Sequence, residues 1–386
     1  MKEKIKNEIA KSMGELEHIS EYIYMNPEEG YKEYKASAIL SQSLEKHGFS
    51  VEKGIYGIET AFRGVYNSGK EGAKVFFLCE YDALPGIGHG CGHNLIATMG
   101  LGAGIGLKSV IDEIGGTVVV LGTPAEETSG AKVEMVRRGE FKGAAAAMMV
   151  HPNPVTEESG SSLALEALRF EYTGKAAHAA AAPEEGINAL DAVIMLYNGI
   201  NALRQHVTSD VRIHGIITHG GTAPNIVPEF AAANFYVRAG KKEKRDEVVK
   251  KVIACAKAAA LMTGAKLEIS NFEESYNDLR TNKMLSDLFN TNLGDLGEKE
   301  IRKAGISIGS IDMGNVSNVV PAIHPWLGLG NDKLVLHTRE FAECTLTEQG
   351  KKAIYKGACA MAMTAFDVIA SEEVQKKIRQ EFEANN

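Results

Sequence analysis

Three short clusters of side chains in this chain could do chemistry, and each lies just past an apolar run. EYDALP (80–85) carries Asp82, TPAEET (123–128) carries the adjacent pair Glu126 and Glu127, and HPNP (151–154) begins with His151. Between the first two lies HGCGHN, where Cys91 and His93 sit two residues apart in a glycine-rich turn. Thiolate, imidazole and carboxylate together suit Zn²⁺, Co²⁺ or Mn²⁺. A helix N-terminus and a nearby metal both favour the thiolate form of Cys91, and Gly90 and Gly92 let the backbone wrap closely around an ion. Alone, a C-x-H pair reads as structural and a Glu-Glu pair as a solvated helix start. Several donor types at neighbouring strand ends change that reading. Consecutive glutamates can then divide the labour, one ligating metal while the other takes a proton from an activated water. Two alternatives stay open. Cys91 could be a nucleophile with His93 or His151 as its base, which leaves the Glu pair unexplained, or the chain could be a metal-bound dimeric binding protein without turnover.

The elements that must position these groups are legible as patterns. VFFLCEY (75–81), TVVVLGT (117–123) and AAAMMV (145–150) are apolar nearly throughout, as strands buried on both faces are. Helical stretches at 95–114 and 130–138 separate them, which reads as a parallel α/β sheet flanked by helices. Ligands bind outside the carboxyl ends of such strands, so Asp82, Glu126, Glu127 and His151 should converge on one crevice. From about 163 to 272 the pattern becomes strand, helix, strand, strand, helix, strand, the split β-α-β-β-α-β (ferredoxin-like) arrangement. We read 164–275 as an inserted dimerisation or lid domain, with 1–163 and 276–386 forming the catalytic, metal-binding α/β domain. After the insertion come a helix near 283–293, the glycine-rich SIGSIDMGNVS, a strand at WLGLG and a last helix at 347–369.

With 386 residues, two domains are the default. A net charge of −8 and the lack of a long basic stretch exclude nucleic acid as a natural partner. The charged N-terminus lacks a signal-peptide core, and no uninterrupted apolar run approaches a membrane span. Five scattered cysteines, an odd number, argue for a reduced, cytoplasmic chain. Cys79, Cys255, Cys344 and Cys359 read as small buried apolar residues. His178, His219, His324 and His337, taken singly, read as surface or hydrogen-bonded structural histidines.

In order along the chain, EYDALP, CGH, TPAEET-GAK, HP, GK-AHAAA-P-GINALDA, GGTAPNIVP, YVRA, GSIDMGNVS and HT resemble the aminoacylase/carboxypeptidase family of metallopeptidases. The branch containing p-aminobenzoyl-glutamate hydrolase is similar over nearly the whole chain. The resemblance implies an amidohydrolase with two divalent metal ions, acting on a small substrate with a carboxylate (an N-acyl amino acid, a p-aminobenzoyl-glutamate-like compound or a dipeptide), in a homodimer or higher homo-oligomer. It implies that Cys91 bridges the metals, with His93 and His151 completing one site and Glu127 and His337 the other. Glu126 would be the general base, Asp82 would orient a ligand, and His178 would reach from the lid, across a dimer, to polarise the scissile carbonyl. Asn225 and Arg238 would hold the polar end of the substrate, although Arg238 could equally be the structural partner of an acid. His324 would contact substrate, or exchange roles with His337. The chain departs from the broad family pattern in carrying Asn94, where Asp often follows CGH.

Overall fold

The computed structural model describes residues 1–305 and 309–385, so positions 307 and 308 of the glycine-rich stretch lie outside the described residues. The chain forms two compact units. The second comprises Ser162–Asp278 with a short return ending at Ser310, and the first comprises Met1–Ser161 and the chain after Asp278 apart from that return.

In the first unit α1 (Lys2–Met25) and α2 (Tyr34–Lys46) precede β1 (Ser50–Lys53) and β2 (Phe62–Asn67). Strand and helix then alternate through β3 (Lys74–Cys79), α3 (His93–Ile114), β4 (Thr117–Gly122), α4 (Ala131–Arg137) and β5 (Ala144–Met148), followed by the short β6 (His151–Asn153). The second unit contributes β7 (Ala164–Thr173), α5 (Ala189–Leu203), β8 (Arg212–His219), β9 (Phe230–Ala239), α6 (Lys242–Thr263) and β10 (Lys266–Asn271). The first unit is completed by α7 (Lys283–Asp295), α8 (Met313–Ser317), β11 (Ala322–Ile323), β12 (Trp326–Gly328), α9 (Arg339–Cys344), α10 (Glu348–Ile369) and α11 (Glu372–Ala384).

The main sheet of the first unit runs β1-β2-β4-β3-β5-β11. β4, β3, β5 and β11 are parallel, and β1 and β2 add an antiparallel edge. Val75 to Cys79 and Val118 to Leu121 are buried, as strands covered on both faces must be. On α1 the stripe Ile5, Ile9, Leu16, Ile19 and Ile23 is buried, each side chain contributing about 1.5–3 kcal/mol of transfer free energy. It packs on α3, which also meets α10, β3 and β4. α3 is long and apolar enough to cross a membrane, contrary to the expectation from uninterrupted apolar runs, but 89% of its most apolar window is buried inside the fold. Its glycines allow that close packing: a Cβ on Gly100 would meet the Leu78 carbonyl oxygen at 2.9 Å, and one on Gly104 would meet Val120 at 2.3 Å.

The second unit has the sheet order β10-β7-β9-β8, antiparallel throughout. Phe170, Tyr172 and Phe235 of the sheet form its core with Val193, Leu196 and Ile200 of α5 and Val248 and Val252 of α6. β8 is an edge strand, exposed at all but one position.

Four local features differ from the sequence reading. The β1–β2 hairpin and α11 were not anticipated, because SVEK alternates weakly and α11 buries only Ile378. The end of the glycine-rich stretch is helical, in α8. Cys79 and Cys359 are buried as expected, whereas Cys255 and Cys344 are partly exposed.

Candidate metal centre

The parallel strands deliver their polar clusters to one rim. β3 ends at Cys79 and releases Glu80 and Asp82, β4 ends at Gly122 and leads through Thr123-Pro124-Ala125 to the Glu pair, and His151 opens β6 after β5. Cys91 and His93 sit at the start of α3, where Gly92 takes a left-handed φ of 74°. Two non-glycine residues at the rim are also left-handed, Ala125 at 63° and His337 at 65°. Such backbone is costly and concentrates at functional sites.

Among the described residues, four sets of ligand-type atoms lie within 4.8 Å of one another: Cys91, His93 and His151; Cys91, Glu127 and His337; His93, Glu126 and Glu127; and Glu80, Glu126 and Asp312. Cys91 is common to the first two sets. His324 belongs to none of these sets. It is buried with its ring 5.5 Å from that of His151 and 5.1 Å from that of Trp326.

The imidazoles are oriented by their far nitrogens. His93 Nδ1 donates to the Asp82 carbonyl oxygen at 2.9 Å and to Asp82 Oδ1 at 3.0 Å. His151 Nδ1 donates to the Pro152 carbonyl oxygen at 2.7 Å. Each ring is thereby held through Nδ1 with Nε2 on its far side, the arrangement that orients metal-binding histidines. Asp82 Oδ2 also accepts from the Glu127 backbone N–H at 2.9 Å, so one carboxylate fixes both a ring and an acid. His93 Nε2 and Glu127 Oε1 are buried without a hydrogen-bond partner. Two buried ligand-type atoms without a partner, 3.8 Å apart, fit a rim that takes positive charge.

Electrostatics follow from this crowding. Burial alone would drive the proton from His93, but the Asp82 charge and hydrogen bond, then Cys91 and Glu80, outweigh it and hold the ring well above its ordinary value. Burial pushes His151 down to about 3, keeping it neutral and able to ligate. Burial, then the charges of Glu80, Glu127 and Asp312, push Glu126 well up. Cys91 is pushed up to about 12 by burial, so the helix N-terminus does not suffice to give a thiolate, and a bound cation's charge would be needed to release the proton.

Sequence reasoning missed the floor of this rim. The ammonium of Lys132, fully buried, lies 2.6 Å from Glu80 Oε1 and 2.7 Å from Asp312 Oδ1. AKVEMVR carries no local signal for it, since one partner, Asp312, lies 180 positions away.

In the second unit, His178 is exposed and its Nδ1 accepts from the N–H groups of Ala180 and Ala181 at 3.2 and 3.1 Å. The neutral ring therefore carries its proton on Nε2. Asn225 is exposed, and its carbonyl oxygen accepts from the Ala179 N–H at 3.0 Å. Arg238 donates to Ser310 Oγ at 3.3 Å and lies 5.6 Å from the Tyr236 ring centre, with Nε buried and unpartnered. Among the described residues its contacts are a hydroxyl and a ring, not an acid.

Residues 165–263 match the Peptidase dimerisation domain of M20 proteins. The chain is 37% identical over 391 residues to the Xaa-Arg dipeptidase of Mus musculus, covering 97% of this chain and 90% of that protein. It is 32% identical over 303 residues to one of the polypeptides of the p-aminobenzoyl-glutamate hydrolase of Escherichia coli, covering 73% of this chain and 62% of that one. Among solved structures, a dinuclear metal-binding peptidase of the M20 family from Bacillus subtilis superposes with a TM-score of 0.63 at 17% identity, over 91% of this chain and 98% of that chain.

Proposed function

Because this chain belongs to the M20 peptidase family and so is a metal-dependent amidohydrolase, we propose that it cleaves the amide bond of a dipeptide or N-acyl amino acid beside a carboxylate. The observation that carries this reading is the pair of ligand sets sharing Cys91, with two buried donor atoms left unpartnered. In this proposal His93 and His151 hold one divalent cation, Glu127 and His337 the other, and Cys91 both. Zn²⁺, Mn²⁺ and Co²⁺ all suit that donor set, and the B. subtilis neighbour is a dinuclear metal-binding protein. When bound, such cations supply positive charge that makes a water more acidic and polarises a carbonyl.

The chain's own groups do the rest. Glu126, whose surroundings raise its proton affinity, takes a proton from the attacking water and returns it to the leaving amine. Asp82 keeps the His93 ring and the Glu127 backbone in register. His178, protonated on Nε2, donates to the carbonyl oxygen as it gains charge. Asn225 and Arg238 bind the substrate carboxylate. Burial raises the proton affinity of the Cys91 thiol, and its Sγ belongs to two ligand sets, which together argue against the cysteine-nucleophile alternative. We further propose a homodimer formed through the second unit, whose β8 edge exposes Ile216 and Ile217, and a cytoplasmic location, in keeping with five unpaired cysteines.

The test combines metal analysis with a screen of dipeptides, N-acyl amino acids and p-aminobenzoyl-glutamate. Chelation should abolish turnover and added divalent cation restore it, while Glu126→Gln should keep its metal and lose turnover by about two to four orders of magnitude. Undiminished hydrolysis by chelated protein, or by Glu126→Gln, would sink the reading.

A further inference from the structure

Glu33 is a fully buried acid that the metal centre does not use. It stands at the start of α2, and its side chain meets no cation among the described residues. Oε2 accepts from Thr60 Oγ1 at 2.9 Å, and Oε1 accepts from the Ala125 N–H at 2.9 Å. Thr60 is itself buried. Ala125 is the residue before the Glu126–Glu127 pair, and its φ of 63° lies in the left-handed region that an alanine side chain resists. The turn it makes closes through its carbonyl oxygen, which accepts from the N–H groups of Ser129 at 3.1 Å and Gly130 at 2.7 Å. Gly30 presses on the same turn from the same segment: a Cβ there would lie 3.1 Å from Ala125 Cα and 2.5 Å from Thr128 Oγ1. Residues 30 and 33 thus clasp one strained turn, Gly30 by close approach and Glu33 by a hydrogen bond.

We propose that Glu33 is a positioning residue, which holds the Ala125 turn through its N–H and so aims Glu126 and Glu127. It touches neither substrate nor ligand atoms. The inference rests on the reading of Glu126 as the base. Burial with no pairing cation, together with the nearby Asp82 charge, fits a side chain retained for its geometry rather than its charge. Glutamine has the same reach, with an oxygen for the Ala125 N–H and an amide that can donate to Thr60 Oγ1. Aspartate keeps the charge but falls one methylene short.

The experiment is steady-state kinetics and metal content of the metal-loaded enzyme for Glu33→Gln, Glu33→Asp, Glu33→Ala and the double variant Glu33→Ala/Ala125→Gly. Glycine at 125 adopts a positive φ freely. Glu33→Asp and Glu33→Ala should lower kcat about tenfold or more with KM changed less than about threefold, because small misplacements of reacting groups act on the chemical step. Glu33→Gln should stay within about threefold of wild type, and Ala125→Gly should recover part of the Glu33→Ala loss. The proposal fails if Glu33→Asp turns over like wild type, if Glu33→Gln is as impaired as Glu33→Ala, or if the glycine gives no recovery. Should Glu33→Ala not fold, the Asp and Gln pair decides alone. Wild-type turnover by Glu126→Gln, measured alongside, would overturn the base assignment separately.

Discussion

Replacing Lys132 with methionine removes the ammonium from the floor of the metal centre and leaves Glu80 and Asp312 as buried carboxylates without it. In the native chain Nζ lies 2.6 Å from Glu80 Oε1 and 2.7 Å from Asp312 Oδ1, and none of the three side chains is more than 2% exposed. Breaking a buried ion pair from one side costs about 3–5 kcal/mol, since the remaining charge is uncompensated. For a chain of 386 residues that corresponds to a fall in Tm of about 4–6 °C. The cost must depend on pH. Asp312 is already held above its ordinary range, because burial outweighs the lowering effect of Lys132. Without Lys132 its folded-state pKa climbs further from the unfolded value of about 4. A carboxyl raised in the folded state supports folding while protonated and loses that contribution as pH rises through the folded pKa. The deficit of Lys132→Met against wild type should therefore be full at pH 8 and shrink toward pH 5. Calorimetry of both proteins at the two pH values checks this, and Lys132→Met/Asp312→Asn should regain part of the loss at pH 8. An equal deficit at both pH values, or a loss under about 2 °C at pH 8, would show that the ammonium does not neutralise this floor.

Glu33 gives a second pH signature, with the sign worked the same way. Burial, reinforced by the Asp82 charge, raises it from 4.5 to about 7, so wild type should lose about 2–3 kcal/mol between pH 5 and 8 that Glu33→Gln does not lose; urea titrations at the two pH values compare them, and parallel losses would reject the assignment. His337→Ala should bind less metal than wild type and His324→Ala should keep its full complement, by mass spectrometry of dialysed protein; the reverse outcome would exchange their roles.

The converging rim was legible because β3, β4 and β5 are apolar on both faces, which forces a parallel sheet and gathers whatever follows the strands at one edge. The split arrangement of the second unit was legible for a different reason: its strand-like and helix-like runs follow one another in the β-α-β-β-α-β order that the structure shows. Lys132 was not legible, because AKVEMVR reads as any short amphipathic helix until Asp312, 180 positions away, is placed beside it. Glu33 was hidden in PEEGYKEYK, which has the composition of a solvated loop. Its burial depends on Ala125 and Thr60, which no local pattern links to it. The left-handed φ of His337 was equally invisible, since neither neighbour signals a turn.

These hidden residues bear on why an acid-rich pocket stays folded and how many cations it wants. Glu80, Asp82, Glu126, Glu127 and Asp312 gather there, and Lys132 is the fixed positive charge among them. With His93 as a neutral ligand and Cys91 ionised by the proposed cations, five carboxylates and one thiolate against one ammonium give a formal excess of five negative charges, most of which two divalent cations would offset. Lys132 contacts Glu80 and Asp312 but not the atoms that face Cys91. It therefore neutralises the floor and leaves His93 Nε2 and Glu127 Oε1 unpartnered at the rim. A second lysine in place of either rim atom would satisfy the charge and destroy the site. This ammonium, below the ligand sets rather than within them, offsets part of the acid crowding at the floor and leaves the rim donors to metal.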